Sequence, residues 1–344
     1  MELAELLAFS VKNKSSDLHL SAGLPPMIRV DGDLRQIDLP ALEHHEILKI
    51  VYNIMDVCQR KEFEERFEID FSFEIEGLSR FRINVFNHSR GIGAVFRIIP
   101  SSIFSMSDLS LPSIFVEIAN LSKGLVLITG PTGSGKSTTL AAIIDYINCS
   151  RNGHILTIED PIEFVHQSKE CLVSQREVHK HTHSFSDALR SALREDPDVL
   201  LVGELRDLET IRLAMTAAET GHLVLGTLHT NSAAKTINRI IDVFPAEEKA
   251  MARSMLSESL QAVIAQALVK RTGGGRVAAL EIMICTSAIR NLIREDKVVQ
   301  MFSAIQTGQA IGMQTLDQHL TKLVSKNIIT KYVARDAAVD KSLF

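Results

Sequence analysis

Leu125-Val126-Leu127-Ile128-Thr129-Gly130-Pro131-Thr132-Gly133-Ser134-Gly135-Lys136-Ser137 reads as a buried strand running into a phosphate-binding turn. The first five residues are apolar or β-branched, as in a strand covered on both faces. The next eight fit G-x-x-x-x-G-K-[ST] at every position, and Thr138 continues into a helix predicted over 137–148. Glycines let backbone N–H groups curl around phosphate, and the helix behind adds the positive end of its dipole. Lys136 is then placed to reach the β- and γ-phosphates, and Ser137 to hold Mg²⁺. With glycine at about 7% of residues, roughly 1% of chains this long would carry the pattern by chance. A plain glycine-rich turn is the alternative, and the flanking strand and helix argue against it. The nucleotide is therefore expected on Gly130, Pro131, Thr132, Gly133, Ser134, Gly135, Lys136, Ser137 and Thr138.

Downstream the pattern alternates. His154–Ile158, Val199–Val202 and Leu223–Leu228 are continuous apolar runs separated by helical stretches. This predicts a parallel sheet with helices on both faces. Ligands of such sheets bind at the C-terminal ends of the strands, so carboxylates there are candidates for chemistry. Val199–Val202 is followed by Gly203-Glu204, which puts Glu204 on Mg²⁺ or on the attacking water, with a solvated or helix-capping Glu as the alternative. Ile158-Glu159-Asp160-Pro161-Ile162-Glu163 sets three carboxylates within five positions. Their repulsion is costly unless a metal or a base role offsets it. Glu163, past a proline in an irregular segment, is the expected group that polarises the water; a solvated acidic turn is the alternative. His222 and His229 bracket the last strand, either as phosphate sensors, as contacts to a neighbour, or as structural residues. His179, His181 and His183 alternate without a second ligand group, so a solvated loop is expected there.

The first hundred residues differ. A short helix is predicted over 2–13, extended runs over 17–20 and 27–30, one helical stretch over 43–66, and strands over 80–86 and 91–99. This is an α+β domain on antiparallel strands. Arg82 and Arg97 lie on its strands, either as surface residues or as guanidinium groups that close over a nucleotide. Domains are expected at 1–100 and 116–344, joined by a linker over 101–115, where the stretch from Pro100 to about Pro112 is Ser-rich with a proline at each end. Beyond Ala246 helices are expected to dominate, with one strand over 276–284.

The net charge is −5 and aromatic residues are 5% of the 344-residue chain, which opposes a nucleic-acid groove built from basic and stacking side chains. The four cysteines, Cys58, Cys149, Cys171 and Cys285, form no C-x-x-C pair and are read as separate thiols. The acidic start has no signal-peptide character, and no apolar run reaches the roughly 18 residues of a transmembrane segment.

Together the loop 130–137, the acidic box 155–163, the strand ending at Gly203-Glu204 and the histidine box 220–230 resemble the bacterial type IV pilus retraction ATPases, the PilT type of the secretion ATPase superfamily. Ala288-Ile289-Arg290-Asn291-Leu292-Ile293-Arg294-Glu295 resembles the signature of the retraction branch. As a helix it would bury Ile289, Leu292 and Ile293 and turn Arg290, Asn291, Arg294 and Glu295 outward. The resemblance implies a homohexamer whose protomers combine a PAS-like N-terminal domain with a RecA-like ATPase domain, ATP and Mg²⁺ lying between them. It also implies functional roles for Arg82, Arg97, His222 and His229. The expected protein is cytoplasmic, peripheral at the inner-membrane face, and acts on a membrane platform protein and indirectly on pilin. A retraction-associated paralogue, a RecA-like nucleic-acid translocase, and a nucleotide-gated module without turnover are the competing readings.

Overall fold

The computed structural model describes residues 3–99 and 102–344; Pro100 and Ser101, where the expected linker begins, and Glu2 of the expected first helix lie outside the described residues. The chain forms two compact units that divide between Ser102 and Ile103.

The first unit contains α1 (Leu3–Lys12), β1 (Asp17–Ser21), β2 (Met27–Val30), β3 (Asp33–Gln36), α2 (His44–Ile54), α3 (Val57–Arg66), β4 (Glu68–Ile75), β5 (Ser79–His88) and β6 (Gly91–Ile99). Its strands form one antiparallel sheet in the order β3-β2-β1-β6-β5-β4. The alternation of β5 sends Phe81, Ile83 and Val85 into the core, where they meet Leu6, Leu7, Ile47, Val51 and Phe63 of the helices. The helical stretch expected over 43–66 is two helices. Asp56 breaks it: its carboxylate accepts from the Gln59 N–H at 2.8 Å, and the Gln59 side chain accepts from the Asp56 N–H at 3.0 Å. This reciprocal capping satisfies two orphan amides and starts a new helix.

The second unit contains α4 (Ile114–Ala119), β7 (Gly124–Thr129), α5 (Lys136–Ser150), β8 (His154–Glu159), β9 (Leu172–Glu177), α6 (Phe185–Ala192), β10 (Val199–Val202), α7 (Leu208–Glu219), β11 (Leu223–Leu228), α8 (Ala233–Asp242), α9 (Lys249–Ser259), β12 (Leu260–Lys270), β13 (Arg276–Ile284), α10 (Ser287–Arg294), α11 (Met301–Thr307), α12 (Leu316–Ser325) and α13 (Lys331–Ala337). The sheet order is β13-β12-β7-β11-β10-β8-β9, parallel except for the edge strand β13. Its two faces are covered by separate apolar clusters, one including α6–α11 and the other α4 and α5. Met106, Ile114 and Phe115, from the segment expected as a linker, are buried in the second of these.

Where helices were expected to dominate, β12 pairs in parallel with β7 and returns through Gly273-Gly274-Gly275 into β13. All three glycines have positive φ, which the tight return requires. Being buried on both faces, β12 lacks the period-2 alternation that marks a half-buried strand.

The helix α10 also departs from expectation. Ile289 and Ile293 are fully buried, but Leu292 only packs at the edge of the cluster. Arg290 is not an outward-facing group. Its guanidinium donates to the carbonyls of Ser257 and Glu258 and, at 3.1 Å, to Gln261 Oε1, while Arg294 pairs with Glu258 at 3.0 Å. These are the last carbonyls of α9, which have no helical partner and attract cations. Asn291 is exposed and donates to Glu295 at 3.0 Å. Accordingly Ile293→Ala is expected to cost about 2–5 kcal/mol in denaturant unfolding, and Leu292→Ala clearly less. Arg290→Ala is expected to cost about 1–3 kcal/mol through its unpaired carbonyls. A Leu292 variant weaker than the Ile293 variant would contradict the assignment of the buried face.

Candidate active site

The phosphate loop is built at the C-terminal end of β7, all six residues of which are buried. Gly130 and Gly135 have φ of +146° and +86°, conformations that a side chain would strain. Gly135 begins α5, and no side chain caps that helix start. The first amides of α5 are therefore left for an anion. Ser134 Oγ is buried with no hydrogen-bond partner among the described residues. This is a cradle that fits nucleotide phosphates.

Lys136 curls back on its own loop, donating to the carbonyls of Gly130 at 2.8 Å and Pro131 at 3.1 Å. Burial lowers the pKa of this amine, opposed by the nearby carboxylates of Glu204 and Glu163. The fold thus brings residues from the ends of three strands around one loop. Ser137 lines a cavity of about 40 Å³ with Thr157, Glu159, Phe164, His166, Gly203 and Thr227.

Glu204 accepts from Arg206 at 2.6 Å and meets His229 Nε2 at 3.1 Å. Partial burial opposes its ionisation, but Arg206 and His229 outweigh that and hold the carboxyl below its usual range. A carboxylate kept ionised beside Ser137's loop suits a divalent cation. Glu163 sits on an irregular segment after β8. Its N–H lies 3.5 Å from Glu159 Oε2. Two residues of β9 hold that segment: Gln175 donates to the Phe164 carbonyl at 2.9 Å and accepts from the His166 N–H at 2.7 Å, and Glu177 accepts from the Ile162 N–H at 3.3 Å.

The clustering of carboxylates is eased by protonation. Burial pushes Glu159 up to about 7, against hydrogen bonds from Thr157 and Gln175, so this side chain is largely neutral below neutral pH. His166 is likewise kept neutral, its pKa pushed down to about 4 by burial.

His222 and His229 stand at opposite ends of β11. Only His229 is at the phosphate-loop end. His222 Nδ1 lies 3.0 Å from the Ala217 carbonyl, at the C-terminus of α7. Arg82 and Arg97 are directly opposite each other on β5 and β6 of the first unit. Arg97 pairs with Asp17 and Arg82 with Asp70, each at 3.1 Å. His179, His181 and His183 lie in the turn after β9, where His181 accepts from the Glu177 N–H at 2.9 Å. Among the described residues no three His, Cys, Asp or Glu side chains are grouped to hold a metal ion.

Sequence reasoning missed Arg206, Gln175 and Glu177. Arg206 follows Glu204 by two positions and carried a weak signal; the β9 residues carried none.

The sequence profile of the type II/IV secretion system protein family matches residues 3–331. The chain belongs to this family. Within it, the chain is 68% identical over 338 residues to the type IV pilus retraction ATPase PilT of Pseudomonas aeruginosa, covering 98% of each. It is 40% identical over 331 residues to the type IV pilus ATPase PilU of the same organism, covering 96% of this chain and 87% of PilU. Among solved structures, that of the pilus retraction motor PilT with bound ADP superposes with a TM-score of 0.88 at 47% identity, covering 100% of this chain and 99% of the other. The fold class and the ATPase class expected from the motifs are those of these family members.

Proposed function

We propose that the chain is the ATP-hydrolysing motor of type IV pilus retraction. One observation carries the chemistry: Lys136 of a complete phosphate loop lies in the field of two carboxylates, Glu163 and Glu204, delivered by two other strands. Lys136 neutralises the terminal phosphates, and the free amides of α5 hold their oxygens. Ser137 and Glu204 would hold Mg²⁺, which when bound offsets phosphate charge. Glu163 orients the attacking water and takes its proton. Pilus retraction, rather than a paralogue's role, is supported by 68% identity to the PilT relative against 40% to PilU.

In this reading the protein assembles as a hexamer at the cytoplasmic face of the inner membrane. No helix among the described residues is long and apolar enough to cross a membrane. Contact with the membrane then runs through a platform protein, and pilin is moved indirectly. His222 and His229 are read as elements that respond to the nucleotide or to a neighbouring protomer.

The test is phosphate release by the purified chain with Mg-ATP, with and without single-stranded DNA. Turnover independent of DNA is expected; DNA-stimulated turnover would favour a translocase. In the same assay Arg82→Ala and Arg97→Ala should each lower turnover by about 10-fold or more, less than the roughly 10³–10⁵ of a lone arginine finger because the two share the task. The unfolding of the second unit should be unchanged. Wild-type turnover in both variants would remove these arginines from the site.

A further inference from the structure

Gln266 belongs to no nucleotide-binding motif. It sits on β12, with 4% of its surface exposed. Its amide joins two parts of the phosphate loop. Nε2 donates to the Ser134 carbonyl at 2.6 Å, and Oε1 accepts from Thr139 Oγ1 at 2.9 Å. Thr139 lies on the first turn of α5, its N–H bonded to the Gly135 carbonyl at 3.0 Å. Only one orientation of the amide serves both partners, because a carbonyl needs a donor.

The geometry of an anion cradle gives this contact its meaning. A loop that turns its N–H groups toward phosphate turns carbonyls away from it. An outward carbonyl buried from water is costly unless a donor meets it. The close approach of β12 is built into the loop. A Cβ at Gly130 would stand 2.2 Å from the Gln266 carbonyl oxygen, and one at Gly135 would stand 2.9 Å from Gln266 Nε2. Two of the motif's glycines thus make room for this residue as well as for phosphate.

We infer that Gln266 is a positioning residue for ATP binding: it pins the Ser134 peptide so that the amides following it face the phosphates. The inference rests on the ATPase reading of the site. Gln266 does not touch the reacting atoms, and its effect should appear in nucleotide affinity rather than in the chemical step.

The experiment measures ATP KM and kcat, affinity for a fluorescent ADP analogue, and thermal unfolding, on the full chain. Gln266→Glu keeps the shape but sets an oxygen against the Ser134 carbonyl. Gln266→Met keeps the length and loses both hydrogen bonds. Each should raise KM and weaken ADP binding by about tenfold or more, the size of one lost buried hydrogen bond. Thr139→Val should shift both in the same direction, and Thr139→Ser, which keeps the hydroxyl, should restore near wild-type values. Unchanged KM and ADP affinity in folded Gln266 variants would overturn the inference, as would a loss of thermal stability alone. Should the Gln266 variants fail to fold, the Thr139 pair decides, and equal KM values for Val and Ser would overturn it. A wild-type chain that binds no ATP would defeat the ATPase reading and this inference together. Turnover by the wild type with unaffected variants would defeat only the inference.

Discussion

Lys136→Ala is expected to abolish measurable phosphate release and to weaken nucleotide binding. Lys136 is the one side-chain cation between Gly130 and Ser137. Its amine already bonds the loop carbonyls at 2.8 and 3.1 Å, so it is held at the mouth of the cradle before any phosphate arrives. It is also partly stripped of water, which strengthens its field at close range. Removing a preorganised group aimed at developing charge costs about 10²–10³-fold in turnover. Lys136 also serves binding, so the loss in kcat/KM should be larger. Truncation frees one exposed carbonyl, Pro131, and one partly buried carbonyl, Gly130, so the variant should stay folded and lose at most about 1–3 kcal/mol in unfolding. Turnover at the wild-type rate would remove the loop from the chemistry.

Glu163→Gln should slow turnover by about 10²-fold or more while leaving ATP binding and assembly intact, as expected for loss of a general base. The amide keeps the shape and cannot take a proton. Glu204→Gln should act differently. Its carboxylate is held ionised by Arg206 and His229, so its loss should raise the Mg²⁺ concentration needed for half-maximal rate. Mg²⁺ titrations of both variants separate the roles. If Glu204→Gln stops turnover at saturating Mg²⁺ while Glu163→Gln runs normally, the two assignments are exchanged.

The parts of the site that could be read from sequence are those defined locally. The phosphate loop is a contiguous pattern, and Glu163 and Glu204 follow apolar strands whose C-terminal ends bind ligands in any parallel sheet. What holds those parts in place could not be read. Gln175 and Glu177 look like ordinary polar residues until β9 pairs with β8 and sets them against the Glu163 segment. Gln266 looked like part of a helix, because β12 is apolar on both faces and shows no alternation. The same lack of tertiary context turned Arg290 outward in the helical reading. Its actual partners are the end of α9, some thirty residues earlier in the chain. In the first unit β5 was legible from its alternation and β6 from an apolar run that stops at Pro100. The break at Asp56 required weighing a capping residue against a long charged helix.

Imaging labelled pili in living cells shows whether ATP turnover at this loop drives pilus retraction. The cells should lack the native gene and carry either the wild-type gene or Glu163→Gln, expressed at matched levels. The wild type should restore cycles of extension and withdrawal. With Glu163→Gln, pili should extend normally and then fail to withdraw or withdraw at a small fraction of the normal rate. Normal withdrawal in cells whose purified Glu163→Gln protein has lost ATP turnover would separate pilus retraction from hydrolysis at this loop and remove Glu163-dependent turnover as its driver.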